Sequence, residues 1–162
     1  PIAYLSADVI AHEKLLIIKN INFYYFGILN STMHNAWMRC VAGRLKSDYS
    51  YSPSVYNNFP FPNISRSTNL SLYSKIEKAA QDILNAREEY KDSTLADLYN
   101  PLTMPPILIK AHNALDKAVD AAYQYKGNKD DAARVAFLFE LYQQLTAPLV
   151  ETESVKKKTK KR

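Results

Sequence analysis

The stretch Leu29-Asn-Ser-Thr-Met-His-Asn-Ala-Trp-Met-Arg-Cys-Val41 runs almost directly into Gly43-Arg-Leu-Lys-Ser-Asp-Tyr-Ser-Tyr-Ser52. The change of period between them decides the fold. In the first, Leu29, Met33, Ala36, Trp37, Cys40 and Val41 recur at spacings of three and four, which predicts a helix beginning after Gly27. Gly43 is placed to stop that helix as a C-terminal cap. In the second, the period drops to two. An extended segment over Leu45 to Tyr51 would turn Arg44, Lys46 and Asp48 to one face and Leu45, Ser47 and Tyr49 to the other. The aromatic and proline-rich run Tyr56-Asn-Asn-Phe-Pro-Phe-Pro62 then reads as a loop.

Upstream, Leu15 to Lys19 and Ile21 to Phe26 are rich in β-branched and aromatic residues, with Asn20 between them. They read as two short strands or one broken strand. Downstream, everything from Asn69 is helical in pattern. One helix is expected over about 71–90, with Tyr73, Ile76, Ala80, Ile83 and Leu84 inward. Capping-box spacing at Ser74-Lys-Ile-Glu77 would move its start later. Thr94-Leu-Ala-Asp97 opens a short turn in a related way. A third helix over about 106–125 starts on Pro106 and ends before Gly127. A last one, over about 131–146, is capped by Asp130 and broken by Pro148. The expected class is α+β, predominantly helical: a small strand and loop part followed by a bundle of three to four helices. Residues 1–62 form the first part, 63–150 a helical domain, and 151–162 a disordered basic tail.

The chain of 162 residues is long enough for a sizeable core, and 47% hydrophobic with 23% charged residues excludes global disorder. The formal charge of +5 is concentrated at the end. Lys156 to Arg162 hold six of the 21 bases, and without them 15 bases face 16 acids. Charge alone therefore does not establish a nucleic-acid binder. One cysteine, Cys40, excludes a disulfide framework and suits an intracellular compartment. No run is long and apolar enough to span a membrane. The start at Pro1 suggests a piece of a longer polypeptide. Three glycines cannot build a glycine-rich phosphate cradle, and His12, His34 and His112 lack metal-ligand spacing. Asp116 and Asp120 share a helix face, but next to Lys117 they read as a solvated face rather than an acid–base pair. Catalysis by these residues alone is not expected.

The runs Phe26-Gly-Ile-Leu-Asn-Ser31, Met33-His-Asn-Ala-Trp-Met-Arg39, Gly43-Arg-Leu-Lys-Ser-Asp-Tyr49 and Val55-Tyr-Asn-Asn-Phe-Pro60 resemble the target-recognition region of MmeI-like (type IIL/IIG) restriction–modification enzymes. Thr94 to Tyr99, Leu102 to Pro106, Ala111 to Asp116 and Arg134 to Tyr142 resemble their helical C-terminal end. The resemblance covers roughly 24–146. It implies the DNA-recognition part of an S-adenosylmethionine-dependent, adenine-specific DNA methyltransferase of a prokaryotic cytoplasm. Its partners would be double-stranded DNA and the methyltransferase domain of the same polypeptide. The family's F-x-G-x-G-like cofactor loop and N-P-P-[YF] motif are not here; Asn100-Pro-Leu-Thr103 shares only two letters. The implication is that this part carries no cofactor. S-adenosylmethionine, and Mg2+ if the parent also cleaves, would be held elsewhere.

The same resemblance implies that Lys46 and Asp48 select a base pair. Physically, an ammonium can donate to guanine O6 or N7 while a carboxylate accepts from cytosine N4. The alternative is a surface ion pair worth about 0–1 kcal/mol. Arg39, Arg44, Ser47, Tyr49 and Tyr51 are candidates for the DNA backbone. His34 and Asn35, on the polar side of the helix, and Asn57 and Asn58, before Pro60, are further possibilities. The rival function is a non-catalytic helical module that docks a partner subunit and never touches DNA.

Overall fold

The computed structural model describes residues 2–13 and 15–159, with backbone only over 148–159. Among them lie helices α1 (Phe23–Asn30), α2 (Thr32–Val41), α3 (Pro53–Asn57), α4 (Leu70–Glu88), α5 (Leu95–Leu98), α6 (Pro106–Ala122) and α7 (Asp131–Thr159), and strands β1 (Gly43–Leu45) and β2 (Asp48–Ser50). The fold is predominantly helical α+β. Packing divides the chain into two compact units, each built from two separated stretches. One comprises residues 1–35 and 62–126, the other 36–61 and 127–162.

The first unit packs α1 and α6 against α4. Its start corrects the strand expected over Ile21 to Phe26, and Leu15 to Lys19 is not a strand either. The Asn22 side chain accepts the Tyr25 amide at 3.1 Å and caps a helix instead. That helix buries Tyr24, Phe26, Ile28 and Leu29, and this packing outweighs the β-preference of the aromatic residues. Gly27 makes the approach possible. A Cβ there would lie 3.0 Å from Ile76 Cγ2, 3.1 Å from Leu115 Cδ1 and 3.2 Å from Ala80 Cβ. Tyr24 stacks on Tyr73 with ring centroids 4.1 Å apart.

The single helix expected after Gly27 is two helices, broken at Ser31, whose backbone is extended. The Ser31 hydroxyl donates to the Ile28 carbonyl at 2.6 Å and accepts the His34 amide at 3.3 Å, so it ends one helix and caps the next. Asp116 on α6 accepts the Thr32 amide at 2.8 Å, a structural use for one of the two carboxylates on that face. Helix α4 starts at Asn69, which caps Leu72 at 3.0 Å, rather than at Ser74. The capping box at Thr94 and Asp97 is present in both directions. In α6, Leu108, Ala111, Leu115, Val119 and Ala122 recur at spacings of three and four and are buried, while Ala118 is half-buried.

Arg87 closes this unit. Its guanidinium is buried and donates to the Ile2 carbonyl (2.9 Å), the Tyr99 hydroxyl (3.0 Å) and Asn30 Oδ1 (3.3 Å). The Tyr99 hydroxyl in turn lies 2.6 Å from His112 Nε2. With its hydrogen occupied in that bond, Tyr99 accepts from Arg87 and donates to neutral His112.

The second unit gathers the last turns of α2, the β1–β2 hairpin, α3 and α7. Trp37 is its anchor: the buried indole donates Nε1–H to the Val55 carbonyl at 3.0 Å and lies 5.2 Å from the Phe139 ring. Cys40, placed on the apolar stripe by spacing, is exposed. Helix α3 replaces part of the expected loop, because Pro53 sits at its first turn after extended Ser52. Gly43 opens β1 instead of capping a helix. Asp130 caps α7 through the Ala133 amide at 2.9 Å, as expected. The helix then continues past Pro148 to Thr159, where a break and disorder were expected. Residues 160–162 of the basic tail lie outside the described residues.

Candidate nucleic-acid interface

The ten residues from Gly43 to Ser52 end in the half-buried Tyr51 and Ser52, but all of Gly43 to Ser50 are exposed. They form an antiparallel hairpin with Gly43 opposite Ser50, Arg44 opposite Tyr49 and Leu45 opposite Asp48. The loop is therefore the two residues Lys46 and Ser47. Lys46 has φ 56°, the left-handed conformation that two-residue hairpins need at their first loop position.

This register corrects the faces read from alternation. An unbroken strand would put Arg44, Lys46 and Asp48 together. The turn reverses the chain, so Arg44 and Tyr49 share one face while Leu45 and Asp48 share the other with Gly43 and Ser50. Lys46 projects from the tip. The Arg44 guanidinium lies 4.5 Å above the Tyr49 ring, and its Nη2 donates to the Tyr49 hydroxyl at 2.9 Å. Such a cross-strand pair rigidifies a ribbon too small to have a core of its own.

Other candidates are placed differently from expectation. Arg39 is engaged: its Nε and Nη2 donate to Asp131 Oδ2 (2.7 Å) and Oδ1 (2.9 Å) in a two-pronged ion pair. The hydrogen bond with Arg39 lowers the Asp131 carboxyl and raises the Arg39 guanidinium. Arg39 thus joins α2 to α7 through this pair, with its side chain still 40% exposed. His34 is not on a polar surface. It is 2% exposed, and Nδ1 is 2.9 Å from the Leu29 carbonyl, which fixes the proton on that nitrogen. Burial pushes it down to about 4, so it stays neutral. Asn35 is half-buried and donates to the Ser31 carbonyl at 2.9 Å. Tyr51 is half-buried, its phenol pushed up to about 12 by desolvation. Asn57 is exposed; Asn58, also exposed, donates to the Ser54 carbonyl at 2.9 Å, the local turn role. Ser47 is exposed at the tip.

Sequence reasoning missed Asp131 because it lies 92 positions from Arg39. Among the described residues no cluster of three His, Cys, Asp or Glu could hold a metal ion, and no helix is long and apolar enough to cross a membrane.

The chain is predominantly helical and carries one short, exposed, polar hairpin among its described residues. The family model of the MmeI target recognition domain matches residues 1–63, and that of the MmeI C-terminal domain matches residues 71–150. The chain belongs to the MmeI family, as a target recognition domain joined to a C-terminal domain. DNA methyltransferase A of Bacillus subtilis (strain 168) is 43% identical over 147 residues, which is 90% of this chain and 16% of that protein. A solved structure of the type IIL restriction–modification enzyme MmeI in complex with DNA superposes with a TM-score of 0.74 and 52% identity. The match covers 79% of this chain and 17% of that one. The chain thus spans about a sixth of the length of these relatives.

Proposed function

We propose that this chain is the sequence-reading part of an S-adenosylmethionine-dependent adenine-N6 DNA methyltransferase of a prokaryotic, cytoplasmic restriction–modification system. In this reading residues 1–62 complete the recognition domain and 63–150 brace it. The observation that carries the reading is the hairpin: a polar ribbon exposed from Gly43 to Ser50, with a cation at its tip and a carboxylate beside it. A two-stranded ribbon fits the major groove, where base pairs differ in donor and acceptor pattern. Lys46 donates to guanine O6 or N7, and Asp48 accepts from cytosine N4. Ser47 at the tip and the Tyr49 and Arg44 edge lie against phosphates and fix the register without specifying sequence. Asn57, exposed at the end of α3, is a further polar contact. The related DNA methyltransferase and the DNA complex of MmeI support this assignment.

The methyl donor belongs to the catalytic domain. S-adenosylmethionine, and Mg2+ in a cleaving parent, would be held by that domain rather than by the hairpin. The test is exchange of the Lys46 and Asp48 side chains in the complete polypeptide, followed by mapping of methylated sites. The required base pair at one target position changes; an unchanged site overturns the reading.

A further inference from the structure

We infer that Leu45 is a specificity-determining residue that reads the C5-methyl group of a thymine beside the base pair addressed by Asp48. The inference rests on the DNA-reading role proposed for the hairpin.

Leu45 is the apolar anomaly of the ribbon, 73% exposed on a segment whose other members are polar, charged or glycine, the Tyr49 ring aside. Tyr49 cannot cover it, because Tyr49 pairs with Arg44 on the opposite face. The neighbours of Leu45 on its own face are Gly43, Asp48 and Ser50, none of which offers an apolar surface. A three-residue strand gains nothing from such a side chain in the free protein. In a groove entered by the ribbon, this side chain would lose its contact with water. On the floor of a major groove, the thymine methyl is the apolar group available for readout.

The geometry fixes where that methyl lies. Side chains directly opposite in an antiparallel pair hold their Cβ atoms about 5 Å apart. Successive bases rise about 3.4 Å along the duplex. With Asp48 on a cytosine amino group, Leu45 reaches the neighbouring base pair, so the pair reads a dinucleotide step: a donor from one base and a methyl from the next.

The test uses the complete methyltransferase polypeptide and duplexes carrying its mapped site, with each thymine replaced in turn by deoxyuridine. This removes the methyl and leaves every base-pairing group in place. The wild type loses about fourfold in affinity at one thymine, the transfer value of one methylene-sized group. The Leu45→Ala variant binds the thymine duplex about that much more weakly than wild type and no longer distinguishes deoxyuridine there. Equal wild-type affinity for thymine and deoxyuridine at every position overturns the inference. An Asp48→Asn variant, mapped in parallel, separates the two failures. If it changes the site while deoxyuridine has no effect, only the role of Leu45 is lost. If it leaves the site unchanged as well, the hairpin reading falls with it.

Discussion

Arg39 and Asp131, 92 residues apart, face each other through two hydrogen bonds of 2.7 and 2.9 Å, one from each of two guanidinium nitrogens to each carboxylate oxygen. The pair joins the last turn of α2, four residues ahead of the hairpin, to the first turn of α7. The basic residue just before the hairpin thus ties the end of α2 to the start of α7.

Because both side chains are about half exposed, at 40% and 49%, removing the pair costs about 0.5–1 kcal/mol rather than the larger value of a buried pair. A double-mutant cycle of Arg39→Ala and Asp131→Ala by urea unfolding should return that coupling. The Asp131 carboxyl titrates below its ordinary value, so the contribution is full above the carboxylate range and fades as pH falls through it. The salt slope of DNA binding by the complete enzyme should be unchanged in Arg39→Ala. A slope shallower by about one would restore Arg39 as a phosphate contact.

His34 and His112 give a second acid dependence at higher pH. Burial holds both down at about 4, His112 also feeling the Arg87 charge. The unfolded chain takes up protons near 6.5, and the folded chain refuses them until about 4. Stability from both groups is thus complete above 6.5 and is lost as pH falls toward 4. Urea midpoints measured across that window should decline, and His34→Gln or His112→Gln should each flatten the decline.

Gly27→Ala sets two effects against each other. Alanine raises helix propensity by about 1 kcal/mol. Its methyl meets three neighbours at 3.0–3.2 Å, one of them the Cβ of Ala80, which cannot rotate away. Overpacking of this kind costs about 1–3 kcal/mol. A net loss of about 1 kcal/mol in thermal or urea unfolding is expected; a net gain would show that α1 can slide.

Lys46→Gly separates shape from readout. Glycine adopts the positive φ of this position without the roughly 1 kcal/mol that an L side chain costs. The hairpin should persist and the unfolding temperature should hold or rise slightly. Discrimination at one target base pair should fall by about 1–3 kcal/mol, read from binding to single-substitution duplexes.

The helical pattern from Leu70 to Ala122 was legible because its stripes obey one period and bury one face. The segment Ile21 to Phe26 was not, since local β-preference says nothing of the slot that α4 and α6 offer at Gly27. The polar ribbon was legible as extended, but its turn was not. Lys46 and Ser47 carry none of the Asn-Gly or Asp-Gly chemistry that marks a hairpin, so the faces were misassigned. His34 looked polar because its helix face was judged without Ser31, whose extended backbone starts a new helix and turns that face inward. Asp131 was invisible as a partner because nothing local links it to Arg39.

Mapping the methylated sites of the complete polypeptide with Lys46 and Asp48 exchanged tests the hairpin's reading role most directly. A new requirement at a single base pair, with the remaining positions kept, is the predicted result. Modification of the original sequence at the original level would contradict it.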